Sequence, residues 1–123
     1  MGAALTLAAI VHQLTVTLSN ALAATRPHGS HVPTVFANFL SFFTIESNLI
    51  ATVALTMAAV WGLRASDGER EPRGTGFLLA CASTYMLTTG VVYNLLLRGI
   101  ELPQGTTVVW ANEMLHLVGP LLM

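Results

Sequence analysis

Apolar residues divide the chain into four long stretches that are separated by short polar segments. The stretches run from about Ala3 to Ala24, Phe39 to Leu63, Gly76 to Leu97, and Thr107 to Met123. A helix that crosses a bilayer needs about 20 mainly apolar residues. The pattern therefore predicts an all-α polytopic transmembrane helix bundle, a single domain over residues 1–123, with three full spans and a short or truncated fourth.

The segments between the stretches contain proline, glycine and charged residues, which favour loops. They cover about 25–38, 64–75 and 98–106. Three arginines lie on the side of the amino terminus and the second segment, against two on the other side. By the positive-inside rule, this difference predicts a cytoplasmic amino terminus.

Composition supports a multi-pass protein of the cell membrane. Of the 123 residues, 54% are hydrophobic and only 9% are charged, with a formal net charge of −1. A cytosolic globular domain carries about a quarter charged residues, and a nucleic-acid-binding protein needs a basic face. Membrane lipids are therefore the expected partners, and nucleic acid is not. The single Cys81 excludes a disulfide framework and a cysteine metal cluster.

Polar residues are concentrated in the half of each stretch that adjoins the first and third polar segments. On a rise of 1.5 Å per residue, Thr44 lies about 9 Å and His116 about 12 Å from that side. Polar side chains avoid lipid tails, so we expect them to turn toward the bundle interior or a water-filled cavity. The set comprises Thr17, Ser19, Asn20, Thr44, Asn48, Thr88, Thr89, Tyr93, Asn94, Asn112, Glu113 and His116.

An ionisable residue inside a membrane is a functional candidate, and His116 is the strongest one in this chain. Asn112 lies one helical turn before His116 and shares its face, and Glu113 precedes it by three residues. Either side chain can orient the imidazole of a general base. Thr44 becomes a nucleophile only beside such a base. The same residues also fit ordinary packing between helices, to which each polar contact contributes about 0.6 kcal/mol.

Cofactor chemistry finds little support in the sequence. Glu113 and His116 form a Glu-x-x-His pair, but a di-metal site needs a second pair. The only other acid within the stretches is Glu46, about 200° around the helix from Thr44 on 3.6 residues per turn. His12 and His116 raise the alternative of a haem, but their depths differ by about 6 Å. We therefore predict no metal and no cofactor.

Three segments resemble a family of small multi-pass membrane proteins. They are 38–49 (NFLSFFTIESNL), 90–97 (GVVYNLLL) and 112–122 (NEMLHLVGPLL). They are similar, in order, to parts of the second, third and fourth helices of the androgen-induced membrane hydrolases and their bacterial six-helix relatives. The resemblance implies that this chain is the first part of a six-helix domain. It also implies a threonine hydrolase of fatty-acid esters of hydroxy fatty acids, with Thr44 and His116 as its catalytic residues.

The leading hypothesis is therefore a lipid-ester hydrolase. Thr44 attacks the ester carbonyl, His116 is the general base, and Asn112 or Glu113 orients the imidazole. Asn48, one turn after Thr44, is predicted to donate a hydrogen bond to the oxyanion. The alternative is a non-enzymatic helix-bundle or partner-binding protein, in which the polar residues are contacts between helices.

Overall fold

A computed structural model describes residues 1–23, 32–66, 69–98 and 108–123, and the regular structure within these ranges is entirely helical. The predicted all-α class is confirmed. The helices are α1 (Gly2–Ala23), α2 (Val32–Leu40), α3 (Phe43–Arg64), α4 (Arg73–Val92), α5 (Val109–Glu113) and α6 (Gly119–Leu121). Two π-helical turns, Tyr93–Leu97 and Met114–Val118, continue α4 and join α5 to α6.

Three of these helices are long and apolar enough to cross a membrane. They are Gly2–Ala23, Phe43–Arg64 and Arg73–Leu97, with mean hydropathies of 1.4, 1.5 and 1.4. The fourth helical segment, from α5 to α6, is shorter than the roughly 20 residues that a full span needs. The three long helices agree with the three predicted full spans.

The predicted boundaries need one main correction. Residues 32–38, predicted as part of a connecting segment, belong to α2, and the predicted helix from Phe39 to Leu63 is broken between α2 and α3. Phe42 at the break has an extended backbone, with ψ 124°. Neither proline nor glycine marks this point, so the apolar pattern runs through it. The helix predicted from Gly76 begins earlier, at Arg73. Residues 24–31 and 99–107, which contain half of the first predicted connection and most of the third, lie outside the described ranges.

Successive long helices run antiparallel and pack closely. Gly2 at the start of α1 lies near Leu55 in α3 and Leu122 after α6. Gly90 in α4 faces Pro120 in α6, where an added Cβ would lie only 3.0 Å from the proline Cβ. The missing side chain at Gly90 therefore allows α4 to approach the fourth helical segment.

Small and polar residues share the buried core with larger apolar ones. Among the described residues, the core contains five alanines (Ala9, Ala51, Ala54, Ala82, Ala111), five polar residues (Thr6, Ser47, Asn48, Thr75, Thr89) and six larger apolar residues (Ile10, Phe39, Ile45, Met86, Met114, Leu115). Large apolar side chains such as Leu63, Phe77 and Leu95 are exposed on the outer surface. Apolar surface on this scale is rare on soluble monomers. It suits contact with lipid, and the three long apolar helices are compatible with a multi-pass membrane protein.

The prediction that the polar residues turn inward is wrong for part of the set. Ser19, Asn20 and Thr88 are exposed. The hydroxyl of Ser19 donates to the carbonyl of Thr15, and that of Thr88 donates to the carbonyl of Thr84 at 2.9 Å. Bonding of a hydroxyl to the carbonyl four residues earlier satisfies it within its own helix. Such residues can face outward without a partner on another helix.

Candidate functional site

Thr44 and His116 are in direct contact across two helical segments. Thr44 is the second residue of α3, and His116 is the central residue of the π turn Met114–Val118. The hydroxyl Oγ1 of Thr44 lies 3.0 Å from Nε2 of His116, and both residues are half-buried. The structure thus brings together the two residues that the sequence placed at similar depth.

The other ring nitrogen of His116 defines the tautomer. Nδ1 lies 2.9 Å from the main-chain carbonyl oxygen of Asn112. A carbonyl oxygen only accepts hydrogen bonds, so Nδ1 carries the proton and donates it. In the neutral imidazole, Nε2 is then the unprotonated acceptor that faces the hydroxyl of Thr44. This is the arrangement that a general base for Thr44 requires.

The side chain of Asn112 has a different partner. Its amide Nδ2 donates to the phenol oxygen of Tyr93, at the start of the first π turn. The Tyr93 ring stacks on the His116 ring, with centroids 3.8 Å apart and planes inclined by 21°. Asn112 therefore orients the imidazole through its main-chain carbonyl and holds the aromatic ring that covers it. The sequence predicted the residue but not the group that acts.

Glu113 does not orient His116, contrary to the prediction. Its two carboxylate oxygens accept hydrogen bonds from Nη2 of Arg98 at 2.9 and 3.0 Å. Nη1 of the same guanidinium donates to Oδ1 of Asn94 at 2.8 Å. The charges of Glu113 and Arg98 thus compensate each other on an exposed surface beside the site.

Asn48 is also placed differently from the prediction. It is fully buried, and its Nδ2 donates to the carbonyl of Thr44 at 2.8 Å and to the carbonyl of Leu115 at 3.1 Å. An amide nitrogen has two hydrogens, so neither is left for an oxyanion. Its Oδ1 is buried with no hydrogen-bond partner and faces Gly119, where an added Cβ would lie 3.0 Å from it.

A second pair of contacts joins the backbone of Thr44 to α4. The hydroxyl of Ser47 donates to the carbonyl of Thr44 at 3.0 Å. The hydroxyls of Ser47 and Thr89 lie 2.8 Å apart. Because the single proton of Ser47 is used for Thr44, Thr89 is the donor in this pair. The sequence places Thr89 among other polar residues but carries no signal for this pairing.

The remaining ionisable candidates lie apart from the Thr44–His116 pair. His12 is exposed, stacks on Trp110, and accepts a hydrogen bond from its indole Nε1 at 3.0 Å through Nδ1. Glu46, in the first turn of α3, is exposed. Among the described residues, no group of three or more His, Cys, Asp or Glu side chains can hold a metal ion.

Two apolar grooves lie toward the opposite end of the bundle. One is lined by residues of α3 and α4, including Val60, Trp61 and Thr75. The other lies between the start of α1 and the second half of α3, against Leu122. The pair Thr44 and His116 lines neither groove.

Searches of family models, curated proteins and solved structures find no match to the chain. The assignment of a function therefore depends on the geometry of the site and on the chemistry of its residues.

Proposed function

We propose that the chain is a membrane-embedded threonine hydrolase of lipid esters, with fatty-acid esters of hydroxy fatty acids as its substrate class. The observation that carries this proposal is the 3.0 Å contact between Oγ1 of Thr44 and Nε2 of His116. The main-chain acceptor on Nδ1 leaves Nε2 free to take the hydroxyl proton. The proposal agrees with the resemblance of the segments around both residues to the androgen-induced membrane hydrolases and their bacterial relatives.

In the first half of the reaction, Nε2 of His116 removes the proton from Thr44 as Oγ1 attacks the ester carbonyl. The new C–O bond gives a tetrahedral oxyanion, and the imidazolium lies against the face of Tyr93. An aromatic face attracts a cation, so the Tyr93 ring lies where it can stabilise the imidazolium as it forms. The imidazolium then protonates the departing alcohol oxygen, the ester C–O bond breaks, and an acyl group remains on Thr44.

In the second half, water takes the place of the alcohol. His116 removes a proton from water, the resulting hydroxide attacks the acyl carbonyl, and the bond to Oγ1 of Thr44 breaks. The proton on His116 returns to Thr44, and a fatty acid leaves. No redox step occurs, and water is the only co-reactant.

Main-chain groups at the start of α3 are the candidate oxyanion donors, because both hydrogens of the Asn48 amide are engaged. The N–H groups of Ile45 and Glu46 donate to the carbonyl of Phe42 at 2.8 and 3.0 Å. Phe42 supplies no side-chain cap. The N–H groups of Phe43 and Thr44 precede the first intrahelical donors and are available for an oxyanion beside the nucleophile.

Activity measurements on matched variants test the proposal. We expect Thr44→Ala to abolish hydrolysis of an ester of a hydroxy fatty acid by the purified protein in lipid. We expect His116→Ala to lower kcat by about 10²–10⁴-fold, the range for a general base. Thr88→Ala is the control, because Thr88 is exposed and its hydroxyl is bonded within its own helix. Equal turnover by all three variants and the wild type contradicts the proposal.

The alternative is a non-enzymatic helix bundle in which Thr44 and His116 only connect α3 to the fourth helical segment. The burial of Asn48 and Thr89 beside the pair favours some role in packing. A fluorophosphonate probe separates the two proposals. Covalent labelling at Thr44 that is lost in His116→Ala supports the hydrolase, and a folded wild-type protein that neither reacts nor hydrolyses esters supports the packing role.

A further inference from the structure

Two successive main-chain carbonyls beside the proposed base lack their usual helical donors. The N–H of Gly119, the normal donor to Leu115, instead donates to the carbonyl of Met114 in the π turn. The next residue is Pro120, which has no N–H. Leu115 therefore has no donor four or five residues ahead, and His116 loses the donor four residues ahead.

Two asparagine side chains from neighbouring helices reach these carbonyls. Nδ2 of Asn48 donates to the carbonyl of Leu115 at 3.1 Å. Nδ2 of Asn94 donates to the carbonyl of His116, also at 3.1 Å. Each bond therefore links the π turn Met114–Val118 to a neighbouring helical segment.

Each amide also bonds to its own helix in the same way. Asn48 donates to the carbonyl of Thr44, and Asn94 donates to the carbonyl of Gly90, both at 2.8 Å and both four residues earlier. One amide group therefore links the backbone of Thr44 directly to the backbone of the residue before His116. Oδ1 of Asn94 is held in turn by Arg98, which fixes the orientation of that amide.

We infer that Asn48 and Asn94 are positioning residues that hold Nε2 of His116 within hydrogen-bond reach of Thr44, through the carbonyls that the π turn and Pro120 leave open. This inference rests on the proposed function as far as catalysis is concerned. Asn48 binds the π turn Met114–Val118 from α3, and Asn94 binds it from the π turn that continues α4. The two amides therefore fix the relative position of the nucleophile and the base. The hydrogen bonds of the imidazole go to Thr44 and Asn112 and not to either amide.

Kinetics of the full chain in lipid give the first test. Misplacement of a reacting group by about 1 Å can cost about 10²-fold in rate. We expect Asn94→Leu to lower kcat by about that factor with little change in KM, because the change affects alignment and not substrate contacts. Asn20→Leu is the matched control, since Asn20 is exposed in α1. We expect Asn48→Leu to lower kcat as well. Asn48 is fully buried, so this variant could fail to fold, and Asn94→Leu then still tests the inference.

A second substitution distinguishes positioning from general loss of packing. Pro120→Ala restores an N–H that can donate to the carbonyl of His116. We therefore expect the double variant Asn94→Leu/Pro120→Ala to recover most of the kcat lost in Asn94→Leu, relative to Pro120→Ala alone. A merely structural role for the Asn94 side chain predicts no such rescue.

Nitrogen-15 NMR of His116 tests the inference without any need for activity. The Nε2 shift reports whether the nitrogen accepts a hydrogen bond, with Thr44→Val as the unbonded reference. We expect Asn94→Leu to move the Nε2 shift toward that reference. In the double variant Asn94→Leu/Pro120→Ala, we expect the shift to return toward the wild-type value. A wild-type Nε2 shift and a wild-type kcat in Asn94→Leu overturn the inference. If the wild type hydrolyses no ester, the proposed function fails, and the NMR shift alone decides the inference.

Discussion

A single main-chain carbonyl decides which nitrogen of His116 can act as a base. The spacing of four between Asn112 and His116 correctly placed both residues on one helix face. It did not show that the carbonyl would bind Nδ1 while the amide bound Tyr93. Spacing indicates which residues are neighbours on one helix. Which polar group of a residue forms a given hydrogen bond also depends on the partners that other helices supply. For the same reason the sequence indicated Asn48 but not its two carbonyl partners.

A glycine substitution tests the close packing behind the site. An added Cβ at Gly119 would lie 2.9 Å from the carbonyl oxygen of Met114 and 3.0 Å from Oδ1 of Asn48. We expect Gly119→Ala to destabilise the protein by about 1–3 kcal/mol, the cost of overpacking, in denaturation in detergent. Gly62→Ala is the control, because nothing lies within 4 Å of its added Cβ. Equal stability of the two variants would contradict the proposed clash.

At the scale of the elements, hydropathy predicted where helices are but not where one stops and another begins. The first and third spans agree closely with the apolar stretches. The break between α2 and α3 was missed, because Ser41 and Phe42 carry no strong helix-breaking signal. The break matters for the site, since it makes Thr44 the second residue of a helix. The depth of Thr44 was predicted by counting residues from Asn38 along one continuous helix. The structure has no continuous helix between these two residues.

Two neighbouring threonines in α4 allow a measurement of how much the contact between α3 and α4 contributes to stability. Thr89 is buried and donates to Ser47, whereas Thr88 is exposed and bonds to its own helix. We expect Thr89→Val to lower the free energy of unfolding by about 0.6 kcal/mol, the average for such bonds in membranes. Thr88→Val should have a smaller effect in the same unfolding measurement. A larger loss in Thr88→Val than in Thr89→Val would show that the assigned partners are wrong.

For the whole molecule, composition was enough to predict the class, because only a lipid-facing surface suits so many apolar residues. It was not enough to predict which polar residues are inside. The hydroxyls of Ser19 and Thr88 bond to their own helix and face outward, whereas that of Ser47 also bonds to its own helix but is buried against Thr89. The amide of Asn48, which also reaches the carbonyl of Leu115, is buried, whereas Asn20 is exposed. Which polar residues are inside therefore depends on the partners that other helices offer, which hydropathy does not report.

The orientation of the bundle stays a prediction with a direct test. Arg64, Arg70 and Arg73 lie around the connection between α3 and α4, which favours a cytoplasmic location for that end. In a Cys81→Ser background, we expect Ser66→Cys to react with an impermeant maleimide only after the cells are lysed. Ser41→Cys, at the other end of α3, should react in intact cells. The reverse pattern would place the amino terminus outside.

The position of Thr44 in the first turn of α3 has a consequence for the supply of reactants. If α3 crosses a bilayer, as its length and apolar composition allow, the nucleophile lies at one end of the span, near the lipid headgroups. The water that hydrolyses the acyl group on Thr44 can therefore enter from the headgroup region without crossing the hydrocarbon core. The tails of a substrate can meanwhile stay dissolved among neighbouring lipids, so no enclosed cavity is needed to hold them.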